Sequence, residues 1–136
     1  MNVLVDTSIW SKVLRRGQIR DQTVASDLTE LIRESRVIMI GQVRQEILSG
    51  IKMENQFQEL RIYLTAFPDL SLETADFEQA AKFHNICWRN GIQGSNTDFL
   101  ICSVADRHNL QIFTSDRDFL DFQKCIPVKL FASIIK

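Results

Sequence analysis

The chain has 136 residues, 45% of them apolar and 24% charged, which fits one soluble domain and excludes disordered and collagen-like classes. Its apolar runs stop after a handful of residues, far below the roughly 20 that cross a bilayer, and no basic region leads an apolar stretch at the start, so a cytoplasmic protein without membrane association is expected. Lys plus Arg number 16 against 17 Asp plus Glu, so contact with nucleic acid has to use a local patch.

In chain order, Asn2 to Val5 reads as a buried strand that stops at Asp6-Thr7-Ser8, small polar residues able to cap the helix carrying Ile9, Trp10, Val13 and Leu14, with Gly17 as its stop. Lys12, Arg15 and Arg16 share that helix's opposite face, and no acid occurs from Trp10 to Arg20. A second helix is expected over Thr23 to Glu34 and a second buried strand over Val37 to Ile40. Helices follow over Gln42 to Ser49, with Gly50 as stop, and over Met53 to Phe67, closed by Pro68. The stretch from Leu70 to Leu72 is ambiguous.

Thr74 reads as the cap of a helix running to about Arg89, ended by Gly91, and a polar loop leads to a helix from Thr97 in which Phe99 to Ala105 is almost wholly apolar or small. A third strand spans Gln111 to Thr114 and ends at Ser115-Asp116-Arg117-Asp118, and Val128 to Phe131 is a plausible last strand. Short apolar strands alternating with helices, without hairpin dipeptides, predict one α/β domain over residues 1–136: a three-layer α/β/α fold with a mostly parallel central sheet. Cys87, Cys102 and Cys125 form no CxxC and have no His at zinc-finger distance, so they are read as reduced, buried and inert. His84 and His108 are read as surface or structural residues.

Open parallel sheets bind ligands outside the carboxyl ends of their strands. Asp6 follows the first strand and Asp116 the third, so both fall at that edge. Asp98 sits in the first turn of the most apolar helix, with Ile101, Cys102 and Ala105 on its side, and Glu46 lies at the margin of its helix's buried stripe. Each acid alone is explicable as a cap or turn residue. Together, converging carboxylates repel unless a cation lies among them, and an all-oxygen set suits Mg²⁺ or Mn²⁺. Such an ion polarises phosphoryl oxygens and acidifies water, which points to phosphodiester hydrolysis.

The order and separation of Val5-Asp6-Thr7-Ser8, Glu46-Ile47-Leu48 with Gly50, Asp98 leading Ile101 and Ala105, and Thr114-Ser115-Asp116-Arg117-Asp118-Phe119 resemble PIN-domain ribonucleases, most closely VapC-type toxins of bacterial toxin–antitoxin pairs. The resemblance spans nearly the whole chain. It implies that Asp6, Glu46, Asp98 and Asp116 bind Mg²⁺ or Mn²⁺ and activate water, with Asp118 a weaker fifth ligand. Thr7, Ser8, Thr114 and Ser115 match positions whose hydroxyls orient the carboxylates, although helix capping explains Thr7 and Ser8 equally well. Cys102 and Ser103 stand where small alanines are often found. The resemblance further implies an RNA substrate, a homodimer, and a VapB-like antitoxin whose C-terminal segment inserts a basic side chain into the acidic pocket. Lys12, Arg15, Arg16 and Arg20 are the residues expected to meet RNA, a solvated helix face being the alternative.

Two other readings compete. A phosphotransfer enzyme can also begin with an Asp after its first strand, but a haloacid-dehalogenase-type phosphatase needs a second Asp where Ser8 stands, and no P-loop or GxGxxG occurs. A catalytically silent module of the same fold has no need for all four acids.

Overall fold

The computed structural model describes residues 1–14 and 22–131. Arg15, Arg16, Gly17 and Arg20, and with them most of the expected basic patch and the stop of the first helix, lie outside the described residues.

The element order is β1 (Val3–Val5), α1 (Thr7–Leu14), α2 (Gln22–Arg33), β2 (Val37–Ile38), α3 (Gly41–Leu48), α4 (Glu54–Leu64), α5 (Thr74–Arg89), α6 (Asn96–Arg107), β3 (Gln111–Phe113) and α7 (Asp118–Phe122). The three strands form a parallel sheet in the order β2-β1-β3. Leu4 faces Ile38 on one side and Ile112 on the other. All three residues of β1 are completely buried, as an unbroken apolar triplet must be when helices cover both faces of a parallel sheet. This is the expected three-layer α/β/α architecture.

Several boundaries differ from the sequence reading. Val128 to Phe131 joins the sheet only through a bridge between Leu130 and Ile112, held by Ile112 N–H on Lys129 O at 2.8 Å and Phe131 N–H on Ile112 O at 2.8 Å. The second strand ends at Ile38; Met39 bridges Asp69, which gives the ambiguous stretch near Leu70 its place at the opposite edge. Glu73, not Thr74, is the N-cap of α5, and Ser95 caps α6. The five-residue α7, Asp118–Phe122, has no counterpart among the elements expected from the sequence. Cys87 and Cys102 are buried as expected, but Cys125 is partly exposed.

Large side chains fill the space between the layers. Trp10 meets Phe67 edge-on at 5.2 Å, and Phe122 packs on Phe99 at 4.9 Å and on Phe119 at 5.1 Å. The second cluster needs Gly94: a Cβ there would lie 2.6 Å from Phe122 Cζ, so α7 can dock on α6 only over a residue without a side chain. Gly50 turns the chain out of α3 at φ +86°, a left-handed conformation that side chains disfavour. Arg44 fastens the end of α4 by donating to Leu64 O at 3.0 Å, to Phe67 O, and to Asp69 Oδ1 at 2.9 Å.

Candidate active site

Because β1 lies between β2 and β3, the connection after β1 runs to one side of it and the next, from β2, crosses to the other, so the crevice at the carboxyl end of β1 is a topological switch point. Asp6 occupies that point. Its N–H donates to Phe113 O at 2.9 Å and its carbonyl accepts the N–H of Ile9 at 3.0 Å, so its backbone closes the sheet and opens α1 together. Only 6% of Asp6 is exposed. Its Oδ2 accepts from Ser8 Oγ at 2.7 Å and from Thr114 Oγ1 at 2.8 Å.

A hydroxyl has one proton to give. With both protons spent on Asp6, the oxygens of Ser8 and Thr114 accept in turn: Ser8 Oγ takes the N–H of Ser115 at 3.1 Å and Thr114 Oγ1 takes the N–H of Asp116 at 3.0 Å. The loop after β3 is thereby tied to the loop after β1. Ser115 takes part through its backbone N–H rather than through the hydroxyl singled out in the sequence. Asp116 Oδ1 accepts the N–H of Asp118 at 2.9 Å, a local turn that fixes the Asp116 carboxylate.

Asp98 arrives from α6. Ser95 Oγ accepts the Asp98 N–H at 3.0 Å and Asp98 Oδ2 accepts the Ser95 N–H at 3.2 Å, a reciprocal capping box. Burial, chiefly, with the neighbouring Asp6 and Asp116 charges, pushes the Asp98 carboxyl up to about 6 despite the Ser95 hydrogen bonds. Asp98, Asp116 and Asp118 each present a carboxylate oxygen within 4.8 Å of the others. Asp118 is exposed, and Asp116, more than its own burial, raises its carboxyl above the usual range. Glu46 reaches in from α3 with an exposed side chain whose Oε1 accepts from Thr7 Oγ1 at 2.6 Å.

Asp6, Glu46, Asp98 and Asp116 line one cavity of about 660 Å³, shared with Thr7 and Ser8. Asp118 stands beside its edge rather than in its wall. Gln42, Gln45, Ser49 and Thr97 complete the lining and were not singled out in the sequence. A helical wheel drawn from Glu46 would have found Gln42 at i−4 and Ser49 at i+3. Lys12 is exposed on α1. His84 packs edge-on against Phe99 at 5.3 Å, and His108 Nε2 lies 3.4 Å from Asp76 Oδ1; both stand outside the cavity lining.

The donor set fits a hard divalent cation. It is made of carboxylate oxygens, with no thiolate or imidazole among the described residues of the cluster, and Asp98, raised chiefly by burial and further by the Asp6 and Asp116 charges, marks a concentration of negative charge that a bound cation would relieve.

An acidic cavity of hard oxygen donors thus lies at the switch point of a parallel three-layer α/β/α sheet. The PIN domain family model matches residues 3–124, and the chain belongs to that family. PIN domains are generally nucleases, hydrolases that act on nucleic acid, and typically use a divalent metal.

Among solved structures, the chain is similar to a chain of FitAcB from Neisseria gonorrhoeae, at 20% identity and a TM-score of 0.77 over 96% of both chains. It is similar to a chain of VapBC2 from Rickettsia felis bound to a DNA fragment from its promoter, at 18% identity and 0.78 over 96% of this chain and 98% of that one. A third likeness is to a chain of DNA-bound VapBC from Salmonella typhimurium, at 14% identity and 0.72 over 96% and 97%. At these identities the likeness is one of fold. No curated protein matches the chain significantly.

Proposed function

We propose that this chain is the ribonuclease toxin of a toxin–antitoxin pair, hydrolysing RNA phosphodiester bonds with Mg²⁺ or Mn²⁺ in the cytoplasm, as a homodimer held silent by a cognate antitoxin. The observation that carries the reading is the meeting of Asp6, Glu46, Asp98 and Asp116, from four separate segments of a PIN domain, in one cavity. Solved structures of the same fold that are toxin–antitoxin complexes support the partner.

Asp6, Glu46, Asp98 and Asp116, with Asp118 beside Asp98 and Asp116, would hold the metal, which when bound would neutralise phosphate charge and polarise water. The chain's own residues hold these groups in place. Ser8 and Thr114 fix Asp6, the Thr114 oxygen positions Asp116 through its N–H, and Thr7 holds Glu46. This spares the site reorganisation when substrate arrives.

A cationic antitoxin side chain entering the same cavity would satisfy the carboxylates in place of metal. A furrow of about 700 Å³ shares Glu46 and Ser49 with the cavity and is walled by Trp10, Leu14, Ile47, Leu60 and Tyr63, a surface suited to an apolar antitoxin segment leading to that cation. Lys12, Arg15, Arg16 and Arg20 are the proposed cationic contacts to RNA phosphates.

The test is cleavage of single-stranded RNA by the purified protein with Mn²⁺. Asp98→Asn and Asp116→Asn are expected to lower the rate by about 10²–10³-fold while leaving the circular dichroism spectrum unchanged. Undiminished cleavage by either variant would remove that residue from the site, and cleavage that survives EDTA would remove the metal.

A further inference from the structure

A second cleft of about 470 Å³ opens beside the acidic cavity and shares Gln42 and Thr97 with it. Three helices wall it: α3 through Gln42, α5 through Phe77, His84 and Asn85, and α6 through Asn96 and Thr97. Its chemistry differs from that of the neighbouring cavity. Among the described residues, no Asp, Glu, Lys or Arg lines it. The small Ala80 and Ala81, also on α5, leave depth beside Phe77, a large aromatic residue that is 47% exposed.

Three carboxamides line the same space, each able to donate and accept together. Among the described residues, the side chains of Gln42, Asn96 and Thr97 carry no hydrogen bond, and that of Asn85 meets only His84 Nδ1 at 3.3 Å. Such groups match the mixed donor and acceptor edge of a nucleobase, and an exposed aromatic ring offers it a stacking face. Phe99 and Leu100 add an apolar floor beneath these polar groups, and with no charged side chain among the described lining residues the space suits a flat, neutral, hydrogen-bonding ring better than a charged peptide segment. The volume lies in the range of small-molecule sites, with room for one base and its sugar.

We propose that this cleft is a nucleobase subsite: it receives one unpaired base adjacent to the phosphate held at the acidic cavity, stacking it on Phe77 and reading its edge with Asn85 and Asn96. The inference rests on the ribonuclease reading and adds a selector to it. Carboxylates engaged with a metal are not free to accept from a base edge, so the neighbouring wall, free of anions among the described residues, is where a sequence preference is exerted. Gln42 and Thr97, common to both spaces, mark where the sugar–phosphate backbone passes between them.

The experiment compares wild type, Phe77→Ala and Asn85→Ala on short single-stranded RNAs with Mn²⁺, varying the base at each position around the cut and including an abasic nucleotide there. A parallel arm measures anisotropy of a labelled RNA on the Asp116→Asn background with Ca²⁺. Both variants are expected to lose about tenfold or more in kcat/KM on intact RNA. They are also expected to flatten the preference at one position and to match wild type on RNA abasic there.

Wild-type preference and binding in both variants would overturn the cleft while leaving the ribonuclease reading intact. Absence of any wild-type cleavage, with RNA binding still weakened by Phe77→Ala, would overturn the catalytic reading and keep the cleft. A change in dimer mass in either variant with unchanged base preference would reassign this face to contact between two copies and overturn the proposal.

Discussion

Helices α5 and α6 open with the same local device, a carboxylate at the third helical position reaching back to the N-cap: Asp76 accepts the Glu73 N–H at 2.8 Å and Asp98 accepts the Ser95 N–H at 3.2 Å. Their surroundings then part. Asp76 is completely buried, its Oδ1 lies 2.8 Å from Arg107 Nε and 3.4 Å from His108 Nε2, and Ser103 Oγ donates to its carbonyl at 2.6 Å. Burial alone would raise its carboxyl. The Glu73 N–H and the Arg107 guanidinium, aided by His108, outweigh burial and hold Asp76 below the usual range.

Asp98 faces anions instead and is driven up to about 6. One capping motif thus serves as a fastening between two helices where cations meet it, and as a poised charge where carboxylates do. Local sequence decides that the carboxylate will be there; the elements packed against it decide its chemistry.

The contrast can be broken most forcefully at Asp76. Asp76→Ala removes the buried carboxylate beside Arg107 and His108, leaving Arg107 only the longer pair to Glu73 at 3.8 Å, and is expected to cost on the order of 3 kcal/mol in denaturant unfolding. RNA cleavage per folded molecule should stay at the wild-type level. A change under 0.5 kcal/mol, on the scale of a surface pair, would deny Asp76 its fastening role.

Asp98→Asn should act in the opposite direction. Because its carboxyl is raised in the folded state, the metal-free protein loses stability as pH climbs from about 4 to about 6, where the unfolded chain gives up a proton that the folded one retains. Asn keeps the Ser95 hydrogen bond without the charge. Asp98→Asn is therefore expected to stabilise the metal-free protein at pH 7 by on the order of 1–2 kcal/mol, after allowance for solvent screening, and to abolish any stabilisation by Mg²⁺.

Asp76 carries the reverse sign. Its contribution is complete above the unfolded value near 3.8 and fades as pH falls below that. Thermal melts across pH 3 to 8 of wild type and both variants separate the two slopes. Coincident slopes would show that the two carboxylates do not differ.

The smallest expected effect sharpens the site side of the comparison. Thr114→Val removes a fully buried hydroxyl that gives its proton to Asp6 and accepts from Asp116 N–H. It should cost about 1–2 kcal/mol in stability. The effect on cleavage should appear as a lower kcat with KM little changed, because the carboxylates lose their orientation and not their charge. An unaltered kcat would assign Thr114 to packing alone.

What could be read in the sequence follows the same division. Asp6 and Asp116 were placed at one edge because strands that run parallel bring their carboxyl ends together. Helical periodicity turns Glu46 and Asp98 inward, which is also a local property, while their meeting with Asp6 and Asp116 follows from the family resemblance. The Asp76 fastening escaped because its partners Arg107 and His108 lie on the next helix. The cap at Glu73 and the five-residue α7 escaped for a related reason: Thr74 is an equally good capping type, and a single turn is too short to show a period. The cleft between α5 and α6 is a product of packing, and nothing in Phe77 or Asn85 alone announces it. The apolar run Val128 to Phe131 makes a plausible last strand in the sequence, whereas only Leu130 bridges the sheet.

The tie from Thr114 to Asp6 spans 108 positions along the chain. A polypeptide emerging from the ribosome at about 5–20 residues per second therefore exposes Asp6 and Glu46 well before, and Asp98 shortly before, the segment that closes the cavity around them. Until that segment arrives, the first strand lacks its β3 neighbour and Asp6 lacks one of its two proton donors. The order of synthesis gives the molecule a built-in delay, with the acidic chamber among the last features to be assembled.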